Sequence, residues 1–185
     1  MKIIFARHAE VIQTHIGKYN GHIDIPLSQN GKNQAKELAK KLQSEKFDRI
    51  YCSDLLRARE TLDAFEFSRK PIYTDKLREK SWGKHEGKSF DEILSEGIEY
   101  KNFEQWLSAL DGEDITDYKN RVEKYFNEVL VKDTAKNILV ITHSGFIKTL
   151  IGIIKESSLE KAFCTKIPYS SFIIYNKLKN TYTIN

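Results

Sequence analysis

The chain has 185 residues, of which 40% are hydrophobic and 30% charged, with a formal net charge of +4 and two cysteines. That length predicts one domain with one sizeable core, and the composition excludes disordered, collagen-like and disulfide-stapled classes. No apolar run reaches the length of a membrane-spanning helix, and the lysines are dispersed rather than gathered into the basic stripe of a nucleic-acid surface.

The small positive surplus fits solvated helix faces plus a local pocket for an anion. Cys52 and Cys164 lie far apart and make no metal-spaced pair, so both are expected to be free thiols. His8, His15, His22, His85 and His143 show no zinc-type spacing, so neither a metal nor another cofactor is expected. The opening residues lack the basic, apolar and small-residue regions of a signal peptide, which sets a cytoplasmic expectation.

In chain order, residues 2–6 form a continuous apolar run, which predicts a strand buried on both faces and ending on Arg7-His8. Residues 11–27 have no helical period and include Gly17, Gly21 and Pro26, which predicts a loop leaving the sheet edge. Ser28 caps a predicted helix with Ala35, Leu38, Ala39 and Leu42 on its apolar face. Residues 47–52 predict a second strand, after which Ser53 or Asp54 caps a helix running to about Phe65. Residues 71–73 read as a brief strand, followed by Leu77-Arg78-Glu79 and a glycine-punctuated loop.

Ser89 with Glu92 forms a capping box for a short helix that Gly97 can end. Tyr100, Phe103, Trp106, Leu107 and Leu110 make an aromatic helical stripe, read as core packing, with a substrate-facing lid as the alternative. Ile115, Tyr118, Val122, Tyr125 and Val129 mark a further amphipathic helix. Residues 137–142 are the strongest strand signal and end on His143-Ser144-Gly145; residues 146–154 follow as a buried helix. Residues 170–178 and 181–184 predict a terminal hairpin. The expectation is α/β: a three-layer sandwich with a mostly parallel central sheet, helices on both faces and a small helical insertion, residues 80–113, over the active-site edge of a single domain.

If the first and the late strand are parallel neighbours, His8 and His143 meet at one carboxyl edge, where open α/β sheets bind ligands. Arg7 belongs to the same edge, with Arg57 in the first turn of a helix and Glu79 in a loop. Each alone has a plain structural reading as a rim or solvated residue. Together they suit phosphoryl transfer. A neutral imidazole is a competent nucleophile. Two guanidinium groups match phosphoryl oxygens. His143 and the amides near Ser144 add donors, and Glu79 can move a proton to or from oxygen.

The motifs resemble those of the histidine phosphatase superfamily, which includes the cofactor-dependent phosphoglycerate mutases. Arg7-His8-Ala9-Glu10 is similar to its R-H-G-E motif, and residues 19–28 to its x-x-G-x-x-D-x-P-L-[ST] segment. Residues 53–61 are similar to S-D-L-x-R-A-x-x-T, Leu77-Arg78-Glu79 with Gly83 and Glu86-Gly87 to L-x-E…G…E-G, and residues 140–145 to V-[ST]-H-x-G. The resemblance implies a phosphorylated nucleophile at His8, a phosphate pocket of Arg7, Arg57 and His143, and a proton donor at Glu79. It implies substrate contacts at Thr14, Asn20, Gly21 and Ser144, with a small-molecule phosphomonoester as partner and neither nucleic acid nor membrane. Three positions depart from the pattern: Ala9 for glycine, Thr14 for asparagine and Lys18 for arginine.

Chain length favours a phosphatase over a mutase. The Asn20-Gly21-His22 loop and the Gly112-Glu113-Asp114 segment ahead of Arg121 most resemble the α-ribazole phosphatases and small broad-specificity phosphatases. A mutase, a phosphohistidine-protein phosphatase and a non-catalytic phosphate-binding protein on the same fold are the alternatives. Substrate and oligomeric state stay open from sequence.

Overall fold

The computed structural model describes residues 1–67 and 69–185. The strands are β1 (Lys2–Arg7), β2 (Arg49–Ser53), β3 (Ile72–Thr74), β4 (Asn137–Thr142), β5 (Phe172–Asn176) and β6 (Thr181–Ile184). The α-helices are α1 (Gln29–Lys41), α2 (Leu56–Leu62), α3 (Phe90–Ser95), α4 (Phe103–Ala109), α5 (Ile115–Tyr125), α6 (Ser144–Ile154) and α7 (Leu159–Phe163). The strands make one sheet in the order β3-β2-β4-β1-β5-β6. Pairing is parallel from β3 to β1 and antiparallel where β5 joins β1 and β6 joins β5.

The continuous apolar runs divide by the two-residue period of a strand. Ile3 and Phe5, with Ile138 and Val140, pack on one face against Tyr118, Val122 and Phe146 from α5 and α6. Ile4 and Ala6, with Leu139 and Ile141, pack on the other against Leu38 of α1 and Ala58 and Leu62 of α2. Both faces are covered, so a run with no polar alternation is what the central strands require. The expected α/β three-layer architecture is the one observed.

The chain leaving β1 reaches α1 on one face, and the chain leaving the adjacent β4 enters α6 on the other. Neighbouring parallel strands whose exits diverge in this way open a crevice between their carboxyl ends. Register fixes what faces it: Arg7 pairs with Thr142, and the His8 amide donates to the Thr142 carbonyl at 2.9 Å. His8 and His143 are therefore neighbours, with ring centroids 5.1 Å apart.

Ser28 caps α1 by accepting from Gly31 N, and the Ser89–Glu92 capping box of α3 is present in full. Gly97, at φ +87°, lies just past α3 in the left-handed conformation that glycine adopts freely. Residues 80–113 carry α3, α4 and a small core of Trp82, Ile93, Trp106, Leu107 and Leu110. Core packing thus describes the aromatic stripe except at Tyr100, which precedes α4 and is 51% exposed.

Several boundaries differ from expectation. Neither Ser53 nor Asp54 is the N-cap of α2; Leu55 is, and the first amide, Leu56 N, donates to the Asp24 carboxylate from the loop before α1. A cap supplied from 32 residues away leaves no local sequence signal. The helix ends at Leu62 rather than Phe65. The Val129 helix passes at Phe126–Leu130 into a π-helical stretch, which shifts the register and leaves Val129 37% exposed. The first hairpin strand is shorter than the expected 170–178 while the second spans 181–184 as expected, and α7, five residues long, lies outside the predicted elements.

Gly31 gives a test in which packing opposes propensity. Its N–H donates to Ser28, and a Cβ built on it would lie 2.0 Å from the Glu10 carbonyl oxygen. Helix propensity alone favours Gly31→Ala by about 1 kcal/mol. The clash reverses the sign, and we expect a net loss of about 1–3 kcal/mol in urea unfolding. A gain in stability would show that α1 moves freely away from the Glu10 segment that follows β1.

Candidate active site

The crevice is a cleft of about 240 Å³ lined by Arg7, His8, Asn20, Gly21, Arg57, Glu79, Ser144 and Gly145, among others. It thus brings together seven of the nine residues singled out from sequence, with His143 directly behind His8. Thr14 does not join them: it sits exposed on a short 3₁₀ turn, Gln13–His15, and lines no part of the cleft.

His8 is buried, and its Nδ1 lies 2.8 Å from the Ala9 carbonyl oxygen. A carbonyl can only accept, so Nδ1 carries the proton and Nε2 keeps its lone pair. Burial, then the charges of Arg57 and Arg7, push the His8 pKa well below its usual value, so the ring is neutral at pH 7. His143 is shifted the same way, by burial first and Arg57 next. Its Nε2 meets Ser53 Oγ at 2.8 Å, while Nδ1 is buried with no partner among the described residues.

The guanidinium of Arg57, 1% exposed, reaches the site from α2. It donates to the carbonyls of Ile23 at 2.8 Å and Gly21 at 2.6 Å, and burial lowers its pKa to about 10, so it stays cationic at neutral pH. Arg7 donates to Ile167 O at 2.7 Å and lies 3.8 Å from the Tyr169 ring centroid. Its Nε is also buried without a partner among the described residues. Such groups are costly to leave unpaired, and an unpartnered guanidinium donor beside one neutral imidazole marks a place for an anion.

Glu79 is held by donors from three directions. Tyr118 OH and Lys80 N donate to Oε1 at 3.0 and 3.1 Å, and Gly145 N donates to Oε2 at 2.9 Å. A Cβ on Gly145 would stand 2.0 Å from Oε1, so glycine there is what lets the carboxylate approach. The Glu79 backbone is anchored too: its carbonyl accepts from His22 Nε2 at 2.9 Å and Arg121 Nη2 at 3.2 Å, and Arg121 is paired with Glu113.

Other motif residues hold the frame. Thr61 accepts from Ala9 N at 2.9 Å and donates to Arg57 O at 2.7 Å, tying the end of β1 to α2. Glu86 accepts from His22 N, Ser81 Oγ and Trp82 N, which fixes the loop carrying Asn20 and Gly21. Asn20 itself is engaged with His15 through both amide atoms. The Ala9 methyl, where the family pattern has glycine, packs with Leu27 and Ala35 and does not line the cleft. Lys148, Tyr169, Trp82 and Phe163 also line it, and no local sequence pattern marks them. Among the described residues no group of three or more His, Cys, Asp or Glu could hold a metal ion, and no helix is long and apolar enough to cross a membrane.

Positive charge gathered about a neutral imidazole, at the carboxyl edge of a parallel sheet, makes this an α/β protein with an anion-accepting site. Known proteins narrow the class. The profile of the histidine phosphatase superfamily (branch 1) matches residues 3–184. Phosphoserine phosphatase 1 of Hydrogenobacter thermophilus is 31% identical over 154 residues, covering 78% of this chain and 71% of its own. The adenosylcobalamin/alpha-ribazole phosphatase of Salmonella typhimurium is 31% identical over 157 residues, covering 82% and 78%. The crystal structure of the alpha-ribazole phosphatase from Shigella flexneri superposes with a TM-score of 0.86 at 24% identity, covering 100% of this chain and 95% of that one. The chain belongs to the histidine phosphatase superfamily, and it is a phosphatase.

The buried histidines predict an acid-sensitive fold. In the unfolded chain each ring takes up a proton near pH 6.5, whereas the folded rings do so only well below it. The unfolded state therefore binds more protons beneath that pH, and stability falls as pH is lowered through the window. Two such rings add a slope approaching about 2.7 kcal/mol per pH unit. Urea unfolding between pH 7 and 5 checks this, and His8→Asn or His143→Asn is expected to flatten the profile. An unchanged slope in both variants would mean that the rings titrate freely in the folded protein.

Proposed function

We propose that this chain hydrolyses small phosphomonoesters through a phosphohistidine formed on His8 Nε2. The observation that carries the reading is the His8 Nδ1–H bond to the Ala9 carbonyl, which leaves a neutral Nε2 lone pair among two guanidinium groups. In the first step Nε2 bonds to phosphorus, the ester P–O bond breaks, and the Glu79 carboxyl gives its proton to the departing alcohol oxygen. In the second, Glu79 takes a proton from water as the oxygen attacks phosphorus; the P–N bond breaks, inorganic phosphate leaves, and Glu79 holds a proton again. Arg7 Nε, Arg57 and His143 Nδ1 donate to the phosphoryl oxygens, with Ser53 O–H donating to His143 Nε2 so that Nδ1 bears the proton.

Thr14, Asn20, Gly21 and Ser144 are assigned less evenly. Gly21 and Ser144 line the cleft beside the reacting groups and contact the substrate in this reading. Asn20 reaches it by exchanging its bonds to His15, and exposed Thr14 has only a marginal part. The cleft lies below the roughly 300–1,000 Å³ that encloses a drug-sized ligand, so it holds the phosphoryl group and the near part of its alcohol. α-Ribazole 5′-phosphate and phosphoserine are the two substrates that the names of similar proteins suggest.

A turnover panel tests the reading. It contains those two compounds, 3-phosphoglycerate, sugar phosphates, nucleotides and a phosphohistidine protein. His8→Ala is expected to lose at least about 1,000-fold in kcat/KM on every active substrate while retaining its circular dichroism, since removing a nucleophile costs on that order. An acid-labile, base-stable phosphoenzyme is expected in the parent chain and absent in the variant. A variant with full turnover removes His8 as nucleophile. Because side chains meet the phosphoryl charge, activity is expected to survive EDTA; loss restored by a divalent cation would overturn the metal-free route.

A further inference from the structure

The cleft holds more positive charge than one phosphoryl group uses. Arg7, Lys18, Arg57 and Lys148 line it against one carboxylate, Glu79. Arg7 and Arg57 surround His8 and are occupied by the phosphoryl group in the reading above. Lys18 has Glu92 at 3.5 Å. Lys148 remains. It projects from α6, partly buried, with its ammonium 5.5 Å from the Phe163 ring centroid. Among the described residues it pairs with no carboxylate.

Burial depresses the Lys148 pKa, and the charges that act on it most are Glu79, which raises it, and Arg7, which lowers it, both at the reacting centre. Glu79 attracts it only at longer range: the two form no ion pair, and the Glu79 oxygens are turned to Tyr118, Lys80 N and Gly145 N. A half-buried ammonium without a counter-ion is costly, and a ligand anion offsets that cost. The small volume of the cleft requires such an anion to lie close to the phosphoryl group.

We propose that Lys148 is a specificity-determining residue that reads a second anionic group on the alcohol, so that the preferred substrate is a short acidic phosphomonoester rather than a neutral one. The second anion is a carboxylate or a further phosphoryl group. This inference rests on the phosphatase reading of the same cleft.

Two matched pairs of probes test it. 3-Phosphoglycerate and glycerol 3-phosphate differ by a carboxylate against a hydroxymethyl group. Propane-1,3-diol bisphosphate and its monophosphate differ by one phosphoryl group. The parent chain is expected to favour the acidic member of at least one pair by roughly 10- to 100-fold in kcat/KM, the worth of one charge-assisted hydrogen bond; the pair that responds identifies the anion. Lys148→Met, which keeps the apolar stem, is expected to bring that ratio to within about threefold of unity, and Lys148→Arg to keep it. Equal losses on both members would make Lys148 a ligand of the transferring phosphoryl group and overturn the proposal. So would a parent chain that turns over the neutral members, in a His8-dependent way, with no preference; the phosphatase reading then stands. Turnover of none of the four probes or of the wider panel would sink both.

Discussion

The site depends on one backbone register. β1 and β4 run parallel and adjacent, with Arg7 opposite Thr142, so two histidines far apart in the chain emerge side by side. A slip of one residue would turn every side chain of β1 to the opposite face and exchange its two cores. The slip is prevented because both faces are apolar and differently packed: Ile3 and Phe5 meet α5 and α6, Ile4 and Ala6 meet α1 and α2. At roughly 1.5–3 kcal/mol for each fully buried large apolar side chain, these contacts outweigh the unfavourable electrostatics gathered at the strand ends.

That electrostatic cost is real. His8, His143 and Arg57 are almost wholly buried, and the guanidinium of Arg57 is met by backbone carbonyls of Gly21 and Ile23 rather than by a carboxylate. Carbonyl dipoles orient the group without cancelling its charge, so the charge stays available to an incoming anion. A carboxylate partner would have stabilised the free protein and weakened the site. The polar network around it keeps the geometry fixed before substrate arrives, as catalysis by preorganised charge requires.

Most of the fold was legible because its signals are local. Apolar runs marked the central strands, and Ser28 and the Ser89–Glu92 box marked helix starts. The ordered motifs pointed to the site because they sit at strand ends, in a helix's first turn or in the loops that leave the same sheet edge. What escaped was contact between distant segments. Asp24 caps α2 across the fold, Ser53 serves His143 rather than its own helix, and Ala9 faces a small core rather than the ligand. The roles of Gly145 and Tyr118 beside Glu79 follow from a 66-residue and a 39-residue separation that no periodicity reports.

The two sides of the cleft are built differently. The phosphoryl side is made by groups that follow closely on strand ends, held through backbone atoms: Ala9 O for His8, Gly21 and Ile23 O for Arg57, Gly145 N for Glu79. The alcohol side is made by side chains standing on longer supports: Trp82 on a loop, Lys148 on α6, Phe163 at the end of α7 and Tyr169 before β5. Relatives equally similar to this chain, at 31% identity, carry names for substrates as unlike as phosphoserine and α-ribazole phosphate. In the proposed reading, a phosphoryl cradle set by the sheet edge stands beside a wall of side chains that the sheet does not constrain, an arrangement compatible with this diversity.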